Sequence, residues 1–171
     1  AYLNIFKRIV MTGNIKPLMG RYEVGYLFLN KVGGIITVNP QIILVLTSII
    51  TMFGFSWFFY KYSKIQWLSV FLFYTFGYYG GAVNTIRHSI ALVFILLAFH
   101  YIIENKLVKF IIAVTVAFLF HRTAILFIMA WPLSKLRYNY KIIVTAIVTS
   151  VGLYFLFPYI FQLAIKIFPT Y

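Results

Sequence analysis

Three ionisable side chains interrupt apolar runs of this sequence and are the first candidates for chemistry. His121 and Arg122 stand side by side within the run Phe110–Leu133, and Arg87 opens the run Ile86–Ile103. Ionisable groups at membrane depth are costly, and they usually persist because a ligand or a reaction requires them. Arginine keeps its charge, whereas histidine accepts or releases a proton near neutral pH. These positions therefore indicate anion binding and proton transfer.

The two carboxylates of the chain, Glu23 and Glu104, have different sequence surroundings. Glu23 lies near the start of a short helix predicted over 21–32, where it suits either a helix-dipole contact or a general base facing an outer cavity. Glu104 follows His100 by four residues, which is the spacing of an ordinary contact at a helix end. Glu23 is therefore the candidate base, with both interpretations open.

Two helix starts are predicted beside the candidate cations. Asn84 is a good N-cap for the helix that contains Arg87, and Thr123 could cap a second half-helix after His121. Free N–H groups, the helix dipole and a guanidinium together favour an anion at such a start. The alternative for Arg87 is that it extends to lipid headgroups from the helix end. His88, on the same helical face, is interpreted as a packing residue.

The composition identifies an integral membrane protein. Of 171 residues, 63% are hydrophobic and 10% are charged, whereas a soluble domain carries about 25% charged residues. A net charge of +13 would suggest nucleic acid in a soluble protein, but here much of it lies in short loops between apolar runs, as the positive-inside rule describes. The loop cations are Lys61, Lys64, Lys106, Lys109, Lys135, Arg137 and Lys141.

The predicted fold class is all-α: a polytopic membrane protein with about five or six transmembrane or half-membrane helices plus short interfacial helices, in one domain. Residues 1–38 form the interfacial or outer segment, and a short amphipathic tail follows the last helix, which Pro158 ends. The predicted membrane helices cover 40–60, 65–79, 84–103, 107–120, 123–133 and 142–157.

The orientation of the chain depends on whether the helix breaks at His121 and Arg122. Placing all the basic loops on one side requires the break, although each half is then short for a full crossing and no glycine or proline marks the turn. The alternative is one continuous helix over 107–133. The break is favoured, and it puts the cations between Lys7 and Lys31 on the outer side, where they would need an anionic ligand.

Absent residue types exclude several kinds of site. The chain has no Cys and no Asp, so thiolate chemistry, disulfides and Asp-x-Asp metal binding are excluded. Three histidines without nearby acids make a weak metal site, and the sequence has neither a serine nucleophile elbow nor a phosphate-binding loop. What remains is a site of Arg, His and one Glu, with no metal and no cofactor.

Four short motifs stand in a fixed order in the chain: Tyr22-Glu23-Val24-Gly25-Tyr26, Leu29-Asn30-Lys31, Asn84-Thr85-Ile86-Arg87 and Phe120-His121-Arg122-Thr123-Ala124. In this order they resemble the EpsG-like, Wzy-type exopolysaccharide polymerases, from Tyr2 to near Trp131. In two places the chain departs from the family pattern: His88 stands where Gln is usual, and Arg122 stands where a small or apolar residue is usual. The family also begins with further spans before Tyr2, so we expect an N-terminally incomplete member.

The resemblance implies a metal-independent glycosyltransferase in the bacterial inner membrane that polymerises polyprenyl-diphosphate-linked oligosaccharide repeat units into exopolysaccharide or capsule at the outer face. It also implies membrane lipids, a flippase and a chain-length regulator as partners, and no nucleic acid. The catalytic residues would be Arg87, His121 and Glu23. The substrate-binding residues would be Asn84, Arg122, Arg21, Tyr26, Tyr78 and Tyr79.

Two other functions stay open. A transporter or flippase of lipid-linked glycan would use the same anion-binding cavity without a base. A membrane assembly partner would use its polar residues only for helix packing.

Overall fold

The computed structural model describes residues 2–13, 15–136 and 139–167, and every regular element among them is a helix. These residues form two compact units, Ala1–Ser134 and Lys135–Tyr171. The predicted all-α class is confirmed, while the single membrane domain over 1–171 stays a prediction. The loop cation Arg137 and the end of the predicted tail at Phe168 lie outside the described residues.

Among the described residues, the first unit holds eight α-helices and two 3₁₀ helices, and the second unit holds one long helix. Only two of the described helices, α3 and α6, are long and apolar enough to cross a bilayer, with mean hydropathies of 2.1 and 1.9. In chain order the elements are α1 Tyr2–Thr12, η1 Lys16–Leu18, α2 Val24–Ile36, α3 Ile42–Tyr62, α4 Gln66–Thr75, α5 Tyr78–Asn84, α6 Ile86–Ile103, α7 Leu107–Phe120, η2 Arg122–Met129, α8 Ala130–Ser134 and α9 Tyr140–Ile167.

The amphipathic helix α1 packs on α2 with its apolar face. Ile5, Phe6 and Ile9 recur at helical spacing and are buried. Gly34 near the end of α2 lets α1 approach closely, since a Cβ there would lie 2.8 Å from a methyl of Val10, while Gly33 allows the same approach of α3, at 2.9 Å from a methyl of Ile43. This packing anchors the N-terminal segment to the core that α2, α3 and α6 share.

Helices α3 and α6 run in the same direction, because they meet at both ends. Near their starts, Ile43 and Ile86 belong to one buried cluster. Near their ends, the Tyr62 hydroxyl lies 2.5 Å from Nδ1 of His100. The connection through α4 and α5 therefore returns the chain to the starting side. The turn between α4 and α5 is at Gly77, with φ 75°, so the predicted helix 65–79 is in fact two helices.

The chain reverses at His121, as the charge pattern predicted. Helix α7 ends at Phe120, and His121 is extended, with φ −153° and ψ 117°. The elements η2 and α8 then run back along α7, so that the rings of Phe127 and Trp131 lie 6.2 and 5.3 Å from that of Phe110. An extended residue is enough to end the helix, which explains how the break forms without glycine or proline. His121 thus lies at the same end of the unit as the start of α6.

Both predicted helix caps are wrong. Asn84 ends α5, and the residue before α6 is Thr85, whose hydroxyl donates back to the Gly81 carbonyl at 2.8 Å and caps nothing. The segment after His121 is a 3₁₀ helix, in which the Ala124 N–H bonds to the His121 carbonyl at 3.0 Å without a side-chain cap.

The predicted stop at Pro158 is also wrong. Helix α9 is continuous over Tyr140–Ile167 and holds Pro158 in its interior. Proline removes one backbone hydrogen bond, but apolar residues on both sides maintain the helix, and membrane helices tolerate proline for this reason. The predicted amphipathic tail is accordingly the last part of α9 as far as Ile167.

Candidate functional site

The carboxylate of Glu23 is the centre of the candidate site. Glu23 is the residue just before α2, a position from which a carboxylate often caps the first turn. Here it makes no cap. Instead it accepts a hydrogen bond from Nη1 of Arg87 in an ion pair, and its other oxygen lies 3.9 Å from Nδ1 of His121. The side chain is only 12% exposed, so the ion pair is largely shielded from solvent.

The three predicted catalytic residues come from segments that are far apart in sequence. Glu23 precedes α2, Arg87 lies in the first turn of α6, and His121 follows α7. Helix α2 reaches α7 through Gly25, where an added Cβ would lie 2.8 Å from the Leu119 carbonyl oxygen. Because Gly25 and Leu119 each lie two residues from the site, this close approach brings the carboxylate to the imidazole.

Positive charge exceeds negative charge around this carboxylate. The guanidinium groups of Arg21 and Arg87 lie 5.9 and 5.8 Å from the centre of the Tyr22 ring. Arg122 donates from Nη2 to the Gly20 carbonyl at 2.9 Å. Arg21 and Arg122 are therefore held by residues close in sequence to Glu23. Arg87 was expected to bind an anion together with the start of its helix, but its charge is balanced by Glu23, and Arg21 and Arg122 are exposed.

His88 is a site residue that the sequence interpretation missed. Its ring lies 5.0 Å from the ring of His121, nearly perpendicular to it, and both line a cavity of about 350 Å³. His88 is exposed, so it does not fill the packing role assigned to it. The signal available in the sequence was spacing: Ala91, Leu92 and Ile95, on the same face of α6, line that cavity too.

A second cavity, of about 190 Å³, lies on the other side of His88. Polar groups of α6 at Thr85, His88 and Ser89 face a largely aromatic wall contributed by α3, α4 and the start of α5. Tyr78 belongs to that wall and is 64% exposed. Tyr79 is also exposed but lies elsewhere, beside α3 near Thr47. Polar groups opposite exposed aromatic rings suit a sugar.

Of the two predicted substrate-binding residues Tyr26 and Asn84, the first is placed differently from expectation. Tyr26 is fully buried, with its ring against that of Tyr2 at 5.8 Å, and burial raises its pKa to about 12. It therefore packs in the core, which conflicts with the predicted contact to substrate. Asn84 is exposed, and its backbone carbonyl accepts a hydrogen bond from the Tyr2 hydroxyl at 3.5 Å. Its side chain is on the surface beside the second cavity's Thr85.

The described residues include no group of three or more His, Cys, Asp or Glu side chains that could hold a metal ion.

The comparison with curated proteins gave no match, and the comparison with solved structures gave none either. A family model described as the EpsG family matches residues 1–171, which is the whole chain. This match agrees with the two apolar helices that are long enough to span a bilayer. The chain is therefore a member of the EpsG family and a membrane protein of exopolysaccharide biosynthesis.

Proposed function

We propose that this protein is the polymerase that joins polyprenyl-diphosphate-linked oligosaccharide repeat units. It would act at the outer face of the bacterial inner membrane, as a multi-pass protein with about five or six membrane segments. The observation that carries the proposal is the contact of Glu23 with both Arg87 and His121. Membership of the EpsG family supports it independently.

The reaction sets two requirements for the site. A hydroxyl of the acceptor glycan attacks the anomeric carbon of the donor, the bond from that carbon to the diphosphate oxygen breaks, and polyprenyl diphosphate leaves. The hydroxyl proton needs a base, and the leaving diphosphate needs positive charge. The leaving group is already good, so neither a metal nor a cofactor is required by this proposal.

His121 is the proposed base. Its Nδ1 lies 3.9 Å from the Glu23 carboxylate, and Nε2 would accept the proton of the acceptor. A carboxylate beside Nδ1 orients the ring and stabilises the imidazolium that forms, as in carboxylate–histidine pairs of hydrolases. Arg87 acts through Glu23, whose position and charge it fixes, so it is a positioning residue.

The substrate contacts follow from the remaining groups. The exposed guanidinium groups of Arg21 and Arg122 would bind the diphosphate, since guanidinium–phosphate pairs are strong and directional. Tyr78, with Asn84 at the end of the same helix, would contact the sugars, whereas Tyr79, which lies beside α3, would not. A flippase that supplies the donor and a regulator that limits chain length are the protein partners that this reaction implies, in a surrounding of membrane lipids.

The test uses the two glutamates of the chain as a matched pair. In the full-length protein expressed in its native pathway, Glu23→Gln removes the charge that orients His121, while Glu104→Gln removes the only other carboxylate. We expect Glu23→Gln to abolish long polymer on a glycan gel while single repeats persist, and Glu104→Gln to give a normal ladder. A normal ladder from Glu23→Gln contradicts the proposed mechanism.

Reconstitution separates this function from the two alternatives. Purified protein in vesicles should elongate a labelled lipid-linked repeat. Transport of the labelled lipid without elongation would indicate a flippase. Reduced abundance of every polar-site variant, with normal polymer length, would indicate an assembly partner.

A further inference from the structure

The 350 Å³ cavity beside His121 changes from polar to apolar along its length. On one wall, α6 contributes His88 at the mouth, then Ala91 and Leu92, then Ile95. These positions span seven residues, or about 10 Å of helix. The opposite wall begins with His121 and Thr123. The cavity is therefore a slot with a polar mouth at the proposed base and an apolar interior about two helical turns long.

The 3₁₀ helix η2 forms the second wall. It has eight residues, whereas 3₁₀ segments longer than three or four are uncommon. With three residues per turn, side chains three apart stand directly above one another. Thr123 therefore stands above Leu126, and Ala124 above Phe127, and these two rows are the ones that line the slot.

The third row of η2 lies outside the slot. Arg122, Ile125 and Ile128 repeat at the same spacing of three, and none of them lines the cavity. The slot also opens sideways, because Leu126 is 72% exposed. The space between the two walls stays open because the residues next to the mouth, Ala91 on α6 and Ala124 on η2, have small side chains. An occupant can therefore enter from the hydrocarbon region of a surrounding bilayer.

We propose that this slot binds the first isoprene units of the polyprenyl chain of the substrate, with the diphosphate leaving the mouth beside His121 toward Arg122, the next residue in the chain. This inference rests on the proposed function. A free sugar or a free phosphate would leave the apolar interior without a partner, whereas a single-chain lipid phosphate matches both ends. The mouth is shared with His121, so a lipid in the slot carries its diphosphate to the group that receives the acceptor proton.

A photoreactive lipid tests the position of the chain directly. The probe is a polyprenyl phosphate with a diazirine on its first isoprene units, added to the full chain in detergent micelles. We expect crosslinked peptides from α6 around Ala91–Ile95 and from η2 around Thr123–Phe127. Labelling confined to other segments, such as the aromatic wall of the second cavity, overturns the proposal. Equal competition by an ordinary phospholipid overturns it too, because the slot would then be a general lipid site.

Two neighbouring residues of η2 provide a matched pair of variants. Ala124→Phe fills the slot, and Ile125→Phe places the same ring in the row that faces away from it. We expect Ala124→Phe to lower binding of the polyprenyl phosphate at least tenfold by native mass spectrometry, and Ile125→Phe to leave it unchanged. Unchanged binding by both variants, or equal loss by both, contradicts the assignment of the slot, and the crosslinking pattern of the wild-type chain decides independently of how the variants fold.

Different results contradict the proposed lipid site and the proposed reaction mechanism. Glu23 does not line the slot, so Glu23→Gln should keep the crosslinks on Ala91–Ile95 and Thr123–Phe127 even though polymer is lost. If Glu23→Gln still polymerises, the mechanism fails but the slot stands. If the wild-type chain polymerises and no label reaches α6 or η2, the slot fails but the mechanism stands.

Discussion

The two ends of the first unit use the same residue types in different ways. At one end, Glu23 contacts Arg87 and His121 across three segments that are remote in sequence. At the other end, Glu104 accepts a hydrogen bond from Lys106 at 2.7 Å and lies 3.2 Å from His100. The first carboxylate is 12% exposed and the second 34%. Residue type alone therefore does not distinguish a candidate reaction centre from a helix-end contact.

Sequence distance and burial make the distinction. The contacts of Glu104 all fall within four residues, so the chain forms them wherever a helix ends. His100 additionally connects helices, because its Nδ1 lies 2.5 Å from the Tyr62 hydroxyl and its Nε2 lies 3.3 Å from the Lys61 ammonium. That end therefore fastens α3 to α6. The Glu23 end forms only when α2, α6 and α7 have packed.

The largest expected effect is a contrast between two histidine variants, of which one should lose polymer formation and the other should lose stability. His121→Ala should lower polymer formation about 10²- to 10⁴-fold, the contribution of a general base, with little change in the unfolding temperature. His100→Ala should lower the unfolding temperature, since it removes the link between α3 and α6, and keep polymer length. Glycan gels and thermal unfolding in detergent measure both. If the two variants behave alike, the contrast between the ends is lost.

The second-largest effect on polymer yield is expected when the charge of Arg87 is removed. Arg87→Ala leaves the shielded Glu23 carboxylate without its partner, which costs about 1–3 kcal/mol for a largely buried group, and it releases the carboxylate from its position near His121. Arg87→Lys keeps the charge but loses the planar donor pair. Polymer yield should fall in the order wild type, Lys, Ala, with thermal unfolding recorded alongside. Full activity of Arg87→Ala would remove this residue from the site.

A methyl group at Gly25 should have a smaller, structural effect. The added Cβ of Gly25→Ala would lie 2.8 Å from the Leu119 carbonyl oxygen, a backbone atom that cannot rotate away. We expect α2 to move from α7 at a cost of about 1–3 kcal/mol, measured by thermal unfolding, with loss of polymer as Glu23 leaves His121. Gly80→Ala is the control, because nothing lies within 4 Å of its added Cβ. Equal unfolding temperatures for the two variants would show that the approach at Gly25 is loose.

The smallest effect concerns pH at the exposed end. The hydrogen bond from Lys106 holds the pKa of Glu104 below its ordinary value of 4.5. A depressed carboxyl pKa stabilises the fold above the unfolded value and loses that effect as the pH falls through the folded value. Wild type and Glu104→Gln should therefore differ slightly at neutral pH, and the difference should vanish well below pH 4.5. Thermal unfolding against pH measures it, and a difference that grows on acidification would contradict the assignment.

The sequence predicted the helical class, the reversal at His121 and the three residues that meet at the site. Each follows from a local signal: apolar runs, basic loops, and ionisable groups inside apolar segments. The caps at Asn84 and Thr123 were wrong, because α5 continues through Asn84 and the 3₁₀ helix η2 begins before Thr123. The core position of Tyr26 could not be read from its type, since burial depends on how α1 and α2 pack.

The pairing of Arg87 with Glu23 was missed for a related reason. A carboxylate and a guanidinium more than sixty positions apart leave no spacing pattern in the sequence that would indicate their contact. His88 was misassigned because its neighbour His121 belongs to another element, so only the packing of α6 against the end of α7 reveals the contact.

The unusual length of η2 has a mechanical consequence. A 3₁₀ helix rises about 2.0 Å per residue and an α-helix about 1.5 Å. If its eight residues were rewound as α-helix, the segment would shorten by about 4 Å, and the two stacked rows that face α6 would be sheared out of alignment. A change of this kind would have to be taken up at the two ends of the segment, at His121 and Ala130.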